Sequence, residues 1–305
     1  VSAGSASVLV VGEALVDLTR TPDGTTAAHP GGSPMNVAVG LARLDVATTL
    51  AAQVGDDEHG DLIRDHVDAS DVDLRSLPPH HPDTSTALAT LDGDGVATYS
   101  FDLVWDPDEM PAVDAFGLVH VGSIAAALEP GADRVETLVR AAIDAGIPVS
   151  IDPNVRLDIT PDLDAVRDRI EALIRHATYV KLSDDDARVL WPEVDLAEIA
   201  HVLLDHGPRL VALTRGDQGA IMSTTTATTS ERPPSIAVVD TIGAGDSFQS
   251  AMLAGLVRWG WLGRDDLDVA DLERLLRVAV TASASTCSRP GADPPTARDL
   301  AGLLR

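Results

Sequence analysis

The sequence predicts an α/β fold, with a mostly parallel central sheet covered by helices and a small β-sheet lid. Three observations lead there. From Val8 onward, short apolar runs alternate with stretches whose apolar residues recur at helical spacing, as in a parallel sheet wrapped by its own crossovers. The alternation is broken at residues 84–102 by two strand-like runs around Asp92-Gly93-Asp94-Gly95, a hairpin signal. A length of 305 residues with 45% hydrophobic content fills one large α/β core or two modest ones.

The elements follow in order. Val8-Leu9-Val10-Val11 reads as a first core strand, because no basic residue precedes it and Glu13 and Asp17 follow at once, unlike a signal-peptide core. Further strands are predicted at 48–53, 118–122, 149–151, 179–182, 210–214 and 235–239. Helices are predicted at 34–44, 59–69, 133–145, 164–176, 183–190, 196–206 and 247–259. Pro34 suits a first helical turn, and Gly146-Ile147-Pro148 marks a stop. The runs 86–91 and 96–101 form either a lid beside a substrate site or an ordinary edge hairpin. The Thr-rich tract 223–230 reads as an exposed hairpin or loop, and no internal repeat occurs.

Composition narrows the partners. A formal net charge of -26 opposes nucleic acid and anionic membrane surfaces and leaves a small molecule. Lys181 is the only lysine. The single cysteine, Cys287, excludes an intrachain disulfide and fits a reducing cytoplasm, where it reads as a small buried apolar residue. No apolar stretch approaches the roughly 20 residues that span a bilayer. A Walker P-loop is absent, no Gly-x-Gly-x-x-Gly follows the first strand, and His80-His81 lacks further ligands at metal spacing.

The run Asp240-Thr241-Ile242-Gly243-Ala244-Gly245-Asp246 sits between a predicted strand and a predicted helix. Its glycines let consecutive N–H groups converge at a helix N-terminus, which suits an anion. Asp246 beside that hole could take the proton of a hydroxyl attacking phosphorus. A plain glycine-rich turn with a helix-capping charge is the alternative.

This run, with Ser247-Phe248, resembles the C-terminal signature of the ribokinase-like (PfkB) carbohydrate kinases. Residues from Gly31 through Asn36 and Ala38 to Leu44 resemble the family's N-terminal signature. The resemblance extends in order from Gly12 to Ala292. It implies a three-layer Rossmann-like (ribokinase-like) fold and a single kinase domain over 1–305, with a lid built from segments near 13–35 and 83–106. Asp246 is then the catalytic base, and Gly243, Ala244 and Gly245 form the anion hole. Gly31, Gly32 and Asn36 belong to the sugar side. Asp17 falls where the family places a carboxylate that accepts from sugar hydroxyls, although alone it reads as a solvated charge.

Further segments match. Val54-Gly55-Asp56-Asp57 with Gly60 resembles a structural turn. Asp152-Pro153-Asn154-Val155-Arg156 resembles a motif of the fructokinase and 2-keto-3-deoxygluconate kinase branches, which places Arg156 near the phosphates; pairing with Asp158 or Asp162 is the alternative. Thr214, Gly216 and Gly219 match the nucleotide-binding turn. Ser183 stands where the family usually has an asparagine, which implies a place on the nucleotide side with Gly245, and Asp186 where it has glutamate, which implies a Mg²⁺ contact through water. The loop at 287–292, with Asp240, Ile242, Arg289 and Gly291, corresponds to a monovalent-cation (K⁺) site.

The implied activity is an ATP- and Mg²⁺-dependent sugar kinase, cytoplasmic and homodimeric through its β elements. Few arginines lie in the N-terminal half (Arg20, Arg43, Arg64, Arg75), which favours a neutral acceptor. Fructose comes first, then 2-keto-3-deoxygluconate, then ribose and nucleosides. A non-catalytic sugar- or nucleotide-binding protein on the same fold would have lost its base, and Asp246 is present.

Overall fold

A computed structural model describes residues 6–93 and 96–304. Val8–Val11 (β1), Leu15–Arg20 (β2) and Thr26–Gly31 (β3) precede helix Ser33–Arg43 (α1), Thr48–Ala52 (β4), helix Glu58–Asp68 (α2) and Asp73–Ser76 (β5). The hairpin strands are Thr86–Leu91 (β6) and Ala97–Asp102 (β7). Then come Leu118–Gly122 (β8), helix Gly131–Asp144 (α3), Val149–Asp152 (β9), helix Leu163–Ile174 (α4), Tyr179–Ser183 (β10) and helix Asp184–Leu190 (α5). Helix Ile199–Leu204 (α6), Leu210–Thr214 (β11), Ala220–Ser223 (β12), Thr228–Glu231 (β13) and helices Ala244–Arg258 (α7) and Val269–Cys287 (α8) complete the chain.

Nine strands form one sheet in the order β13-β12-β11-β10-β9-β8-β1-β4-β5, parallel throughout except at β12 and β13. A parallel sheet needs cover on both faces, and every residue of β1, β4, β8 and β9 is buried. Val8 and Val10 pack toward α1, α2, α7 and α8, whereas Leu9 and Val11 pack toward α3 to α6. Three layers result. The carboxyl ends of β1, β8, β9 and β10 point the same way; the turns after β1, β8 and β9 carry Glu13, Ser123 and Asn154, and β10 ends on Ser183.

Four strands form a second sheet in the order β3-β2-β6-β7. Its register sets His29, Asp17, Ala87 and Phe101 in one cross-strand row. The predicted strand pair is present at 86–91 and 97–102, while Asp94 and Gly95 of its turn lie outside the described residues. The Thr-rich tract 223–230 is a hairpin: it runs from the last residue of β12 through the turn into β13, and the two strands pair antiparallel.

Two readings of the sequence are corrected. Residues 235–239 form no strand: Val238 and Val239 are 65% and 61% exposed, and the N–H groups of Val239 and Asp240 both donate to the Cys287 carbonyl at the end of α8. Pro233-Pro234 removes two ladder donors just where pairing with a sheet edge would begin. The 19-residue α8 was not predicted. Its start is a capping box between Asp268 and Asp271, and its second half is so rich in Ala, Ser and Thr that little apolar periodicity shows. Among the described residues no helix is long and apolar enough to cross a membrane.

Candidate active site

The site is built where α1 and α7 begin. Gly32 caps α1 with φ 108, and a Cβ there would lie 2.7 Å from the Glu13 carbonyl oxygen, so the turn tolerates only glycine. Pro34 follows in the first turn. That entry aims Ser33 and Asn36 at α7. Ser33 Oγ donates to Asp246 Oδ1 at 2.6 Å, and Asn36 Nδ2 donates to Oδ2 at 2.8 Å. Each oxygen of Asp246 is thus held by one donor, which fixes the carboxylate while leaving lone pairs free.

Gly243 caps α7 in the left-handed region with φ 74, and a Cβ there would press on Ala292. The Ala244 N–H turns back to the Thr241 carbonyl at 3.3 Å. Among the described residues, the N–H groups of Gly245 and Asp246 have no protein acceptor, so the donors for an anion sit one residue further along than the glycine pattern suggested. Gly245 leaves room for Lys181, whose Nζ would lie 3.0 Å from a Cβ at that position.

Lys181, the chain's only lysine, is buried and paired with Asp152 Oδ2 at 2.7 Å. Burial alone would lower its pKa, but Asp152, Asp186 and Asp246 outweigh it and keep the ammonium charged. Burial pushes Asp152 up to about 6 against the pull of Lys181. Glu13 is pushed by burial up to about 7, opposed first by the Ser123 hydroxyl.

Two cavities meet here. The first, about 430 Å³, is walled by Asp17, Ala87 and Phe101 of the small sheet and by Glu13, Gly32, Asn36, Ser123, Arg156 and Asp246 of the body. The second, about 310 Å³, is lined by Ser183, Asp186, Thr214, Gly216 and Gly219. Asn154, Lys181, Ala244 and Gly245 belong to both walls.

The predicted residues fall on these walls with few exceptions. Gly31 is buried just behind Asp17, where a side chain would collide with the Asp17 carboxylate. Asn36, expected to contact a sugar, spends its amide on Asp246. Asp186 is a loop clasp: Oδ1 accepts from the Val155 N–H at 2.8 Å, and Oδ2 accepts from the Ser183 N–H and hydroxyl at 3.0 and 2.6 Å. Ser183 is thereby the cap of α5. Arg156 forms no ion pair with Asp158 or Asp162; its Nη1 donates only to the Val155 carbonyl, and its side chain lines the first cavity. Asp240 ties two loops by accepting from Ile242 N–H at 3.0 Å and Gly291 N–H at 2.9 Å, which holds its carboxyl below the usual range. The Arg289 side chain is engaged by Asp293 and Asp299, leaving only its carbonyl for a cation.

Sequence reasoning missed Ser33, Glu13, Ser123 and Lys181. The one available signal was Lys181 itself, a single lysine directly before the Ser183 turn.

A proton-accepting carboxylate beside the wall between two cavities, with free helix N–H groups and a buried cation on that wall, supplies the parts that phosphoryl transfer needs. Residues 5–298 match the model of the pfkB family carbohydrate kinases. The chain is 34% identical to a fructokinase of Salmonella typhimurium, across 97% of this chain and 98% of that one. Its fold superposes with TM-score 0.82 and 25% identity on fructokinase from Vibrio cholerae in a form with fructose, ADP and calcium ion bound, covering 99% of each chain. It superposes equally, with TM-score 0.82 and 25% identity, on aminoimidazole riboside kinase from Salmonella enterica complexed with aminoimidazole riboside and an ATP analog, covering 98% of this chain and 100% of that one. The chain belongs to the pfkB family of carbohydrate kinases, and is an ATP-dependent carbohydrate kinase.

Proposed function

We propose that this kinase transfers the γ-phosphoryl of ATP to a primary hydroxyl of fructose, with Asp246 as the base. The observation that carries this is the shared wall: a hydroxyl in the first cavity and a nucleotide in the second can meet only across Asn154, Lys181, Ala244 and Gly245, beside Asp246. Ser33 and Asn36 hold the Asp246 carboxylate ready to accept the hydroxyl proton. The N–H groups of Gly245 and Asp246, with Lys181 and Arg156, stabilise charge on the phosphoryl in flight. Asp17 accepts from sugar hydroxyls, and the small sheet acts as a lid on the sugar.

A neutral sugar suits the first cavity, where Arg156 and Lys181 are the only cationic lining residues among the described residues. Lys181 is held by Asp152 and Arg156 is assigned to the transferred phosphoryl, so none is left for an acceptor's own phosphate. The aminoimidazole riboside kinase likeness keeps a nucleoside as the second reading, with 2-keto-3-deoxygluconate beside it. A coupled ADP-release assay over fructose, 2-keto-3-deoxygluconate, ribose, nucleosides and phosphorylated sugars ranks them. Turnover of a phosphorylated sugar alone sinks the proposal.

No group of three or more metal-ligating side chains occurs among the described residues. Magnesium would therefore be held chiefly by the ATP phosphates, with Asp186 reaching it through water by its remaining lone pairs. When bound, it neutralises the phosphates. A potassium ion would draw on the carbonyls of Ile242, Arg289 and Gly291 beside Asp240, and equal activity in sodium and potassium would dismiss it. The small sheets of two copies would form a homodimer, with Val96 and Tyr99, 62% and 60% exposed, in the contact. Light scattering at the mass of one chain would rule that out.

A further inference from the structure

Glu13 sits in the turn after β1, 6% exposed, on the wall of the first cavity. A buried carboxylate is costly unless its partners compensate. Here Oε2 accepts from the Ala125 N–H at 3.1 Å, and Oε1 is buried with no hydrogen-bond partner among the described residues. Opposite stands Ser123, with φ 55 and ψ −146, a region that glycine occupies and serine avoids. Its hydroxyl faces the Glu13 carboxylate and accepts from Asn154 Nδ2 at 3.2 Å, while its N–H donates to the Asp152 carbonyl at 3.0 Å. Asn154 also has positive φ, 39°. The turns after β1, β8 and β9 are therefore stitched together by side chains, and both positive-φ residues line the first cavity.

A strained residue persists only where its surroundings over-determine it. For Ser123 that constraint comes from Asp152 and Asn154 on one side and from Glu13 on the other. Glu13 grips the Ala125 N–H, within the short 3₁₀ turn Ile124–Ala126 that follows Ser123 directly.

We propose that Glu13 is a positioning residue for sugar binding: by holding the Ala125 N–H and facing the Ser123 hydroxyl, it keeps Ser123 and Asn154 in the conformations that shape the floor of the sugar cavity. The inference rests on reading that cavity as the sugar site. Glu13 acts through Ser123, so its loss weakens sugar binding more than it slows transfer.

The test compares Glu13→Gln, Ser123→Gly and the double variant, using whichever acceptor wild type turns over fastest. A wrong sugar assignment then shows in the substrate panel and leaves this comparison intact; calorimetric titration of that sugar gives the same comparison without turnover. Assayed at about pH 8, where the Glu13 carboxyl is ionised, Glu13→Gln replaces a charge-assisted acceptor of the Ala125 N–H by a weaker neutral one and raises the sugar KM by about 10-fold, with the ATP KM unchanged and kcat within about twofold. Ser123→Gly restores the double variant to within about threefold of wild type, because glycine takes this conformation without an anchor. A double variant as defective as Glu13→Gln, an unchanged sugar KM, or a kcat that falls as far as kcat/KM overturns the proposal. Should Glu13→Gln fail to fold, Glu13→Asp keeps the charge but withdraws it from Ala125, and is read by the same criteria.

Discussion

The two sheets that wall the first cavity are built on opposite terms. The nine-stranded sheet buries whole strands between helical layers, and what it delivers to the site is pinned: Asp246 by Ser33 and Asn36, Lys181 by Asp152, Asp186 by Ser183 and Val155. The four-stranded sheet touches α2 through β2 and β3, yet most of β3 and β7 is exposed, and it delivers Asp17 and Phe101 to the first cavity. The proposed transfer chemistry demands preorganisation and falls on the first. The proposed recognition can accompany motion, and part of it falls on the second.

Substitutions can break or sharpen that contrast. On the rigid side, Asp246→Asn removes the proposed base and should lower kcat by about 10² to 10⁴-fold with sugar binding still measurable; unchanged turnover would refute the assignment. Lys181→Met strands the buried Asp152 carboxylate and should cost about 3–5 kcal/mol of stability by denaturant unfolding. A loss under 1 kcal/mol would mean that the pair is no structural pin. Glu13 supplies a pH test. Its carboxyl is raised from 4.5 to about 7 by burial, so its contribution to stability is present below pH 4.5 and is lost as pH rises through 7. Between about pH 5 and about pH 8, wild type should therefore lose on the order of 3 kcal/mol relative to Glu13→Gln. Parallel stability curves would show an unperturbed Glu13.

On the open side the effects shrink and move to affinity. Asp17→Asn should raise the sugar KM by about 10 to 100-fold with kcat and thermal midpoint little changed. A fall in stability instead would place Asp17 among the pinned residues. Tyr99→Ala, on an exposed ring stacked beside Phe101 at 6.4 Å, should shift the stability of a single chain by no more than about 0.5 kcal/mol, read from the thermal midpoint. A larger shift that depends on protein concentration would point to pairing of the small sheets.

The same contrast explains what the sequence disclosed. Buried parallel strands are continuous apolar runs, so β1, β8, β10 and β11 were legible within a residue or so. The polar edge strand β5 was not. Residues 235–239 misled because apolarity marks a strand only if a partner is there to receive it, and Pro233-Pro234 and the Cys287 carbonyl decide otherwise. In the site, Asp246 and its glycines announced themselves by local chemistry. Ser33 and Asn36 act on Asp246 from 213 and 210 positions away, and only the packing of α1 on α7 brings them there. Ser123 owes its part to a backbone angle, which no residue name encodes.

The solitary lysine has a practical corollary. Apart from the α-amino group, the one amine that an acylating reagent can modify lies at the partition between the two cavities, 5% exposed in its side chain. Amine labelling followed by mass spectrometry thus becomes a clock for the opening of this site alone, with occupancy of either cavity slowing it.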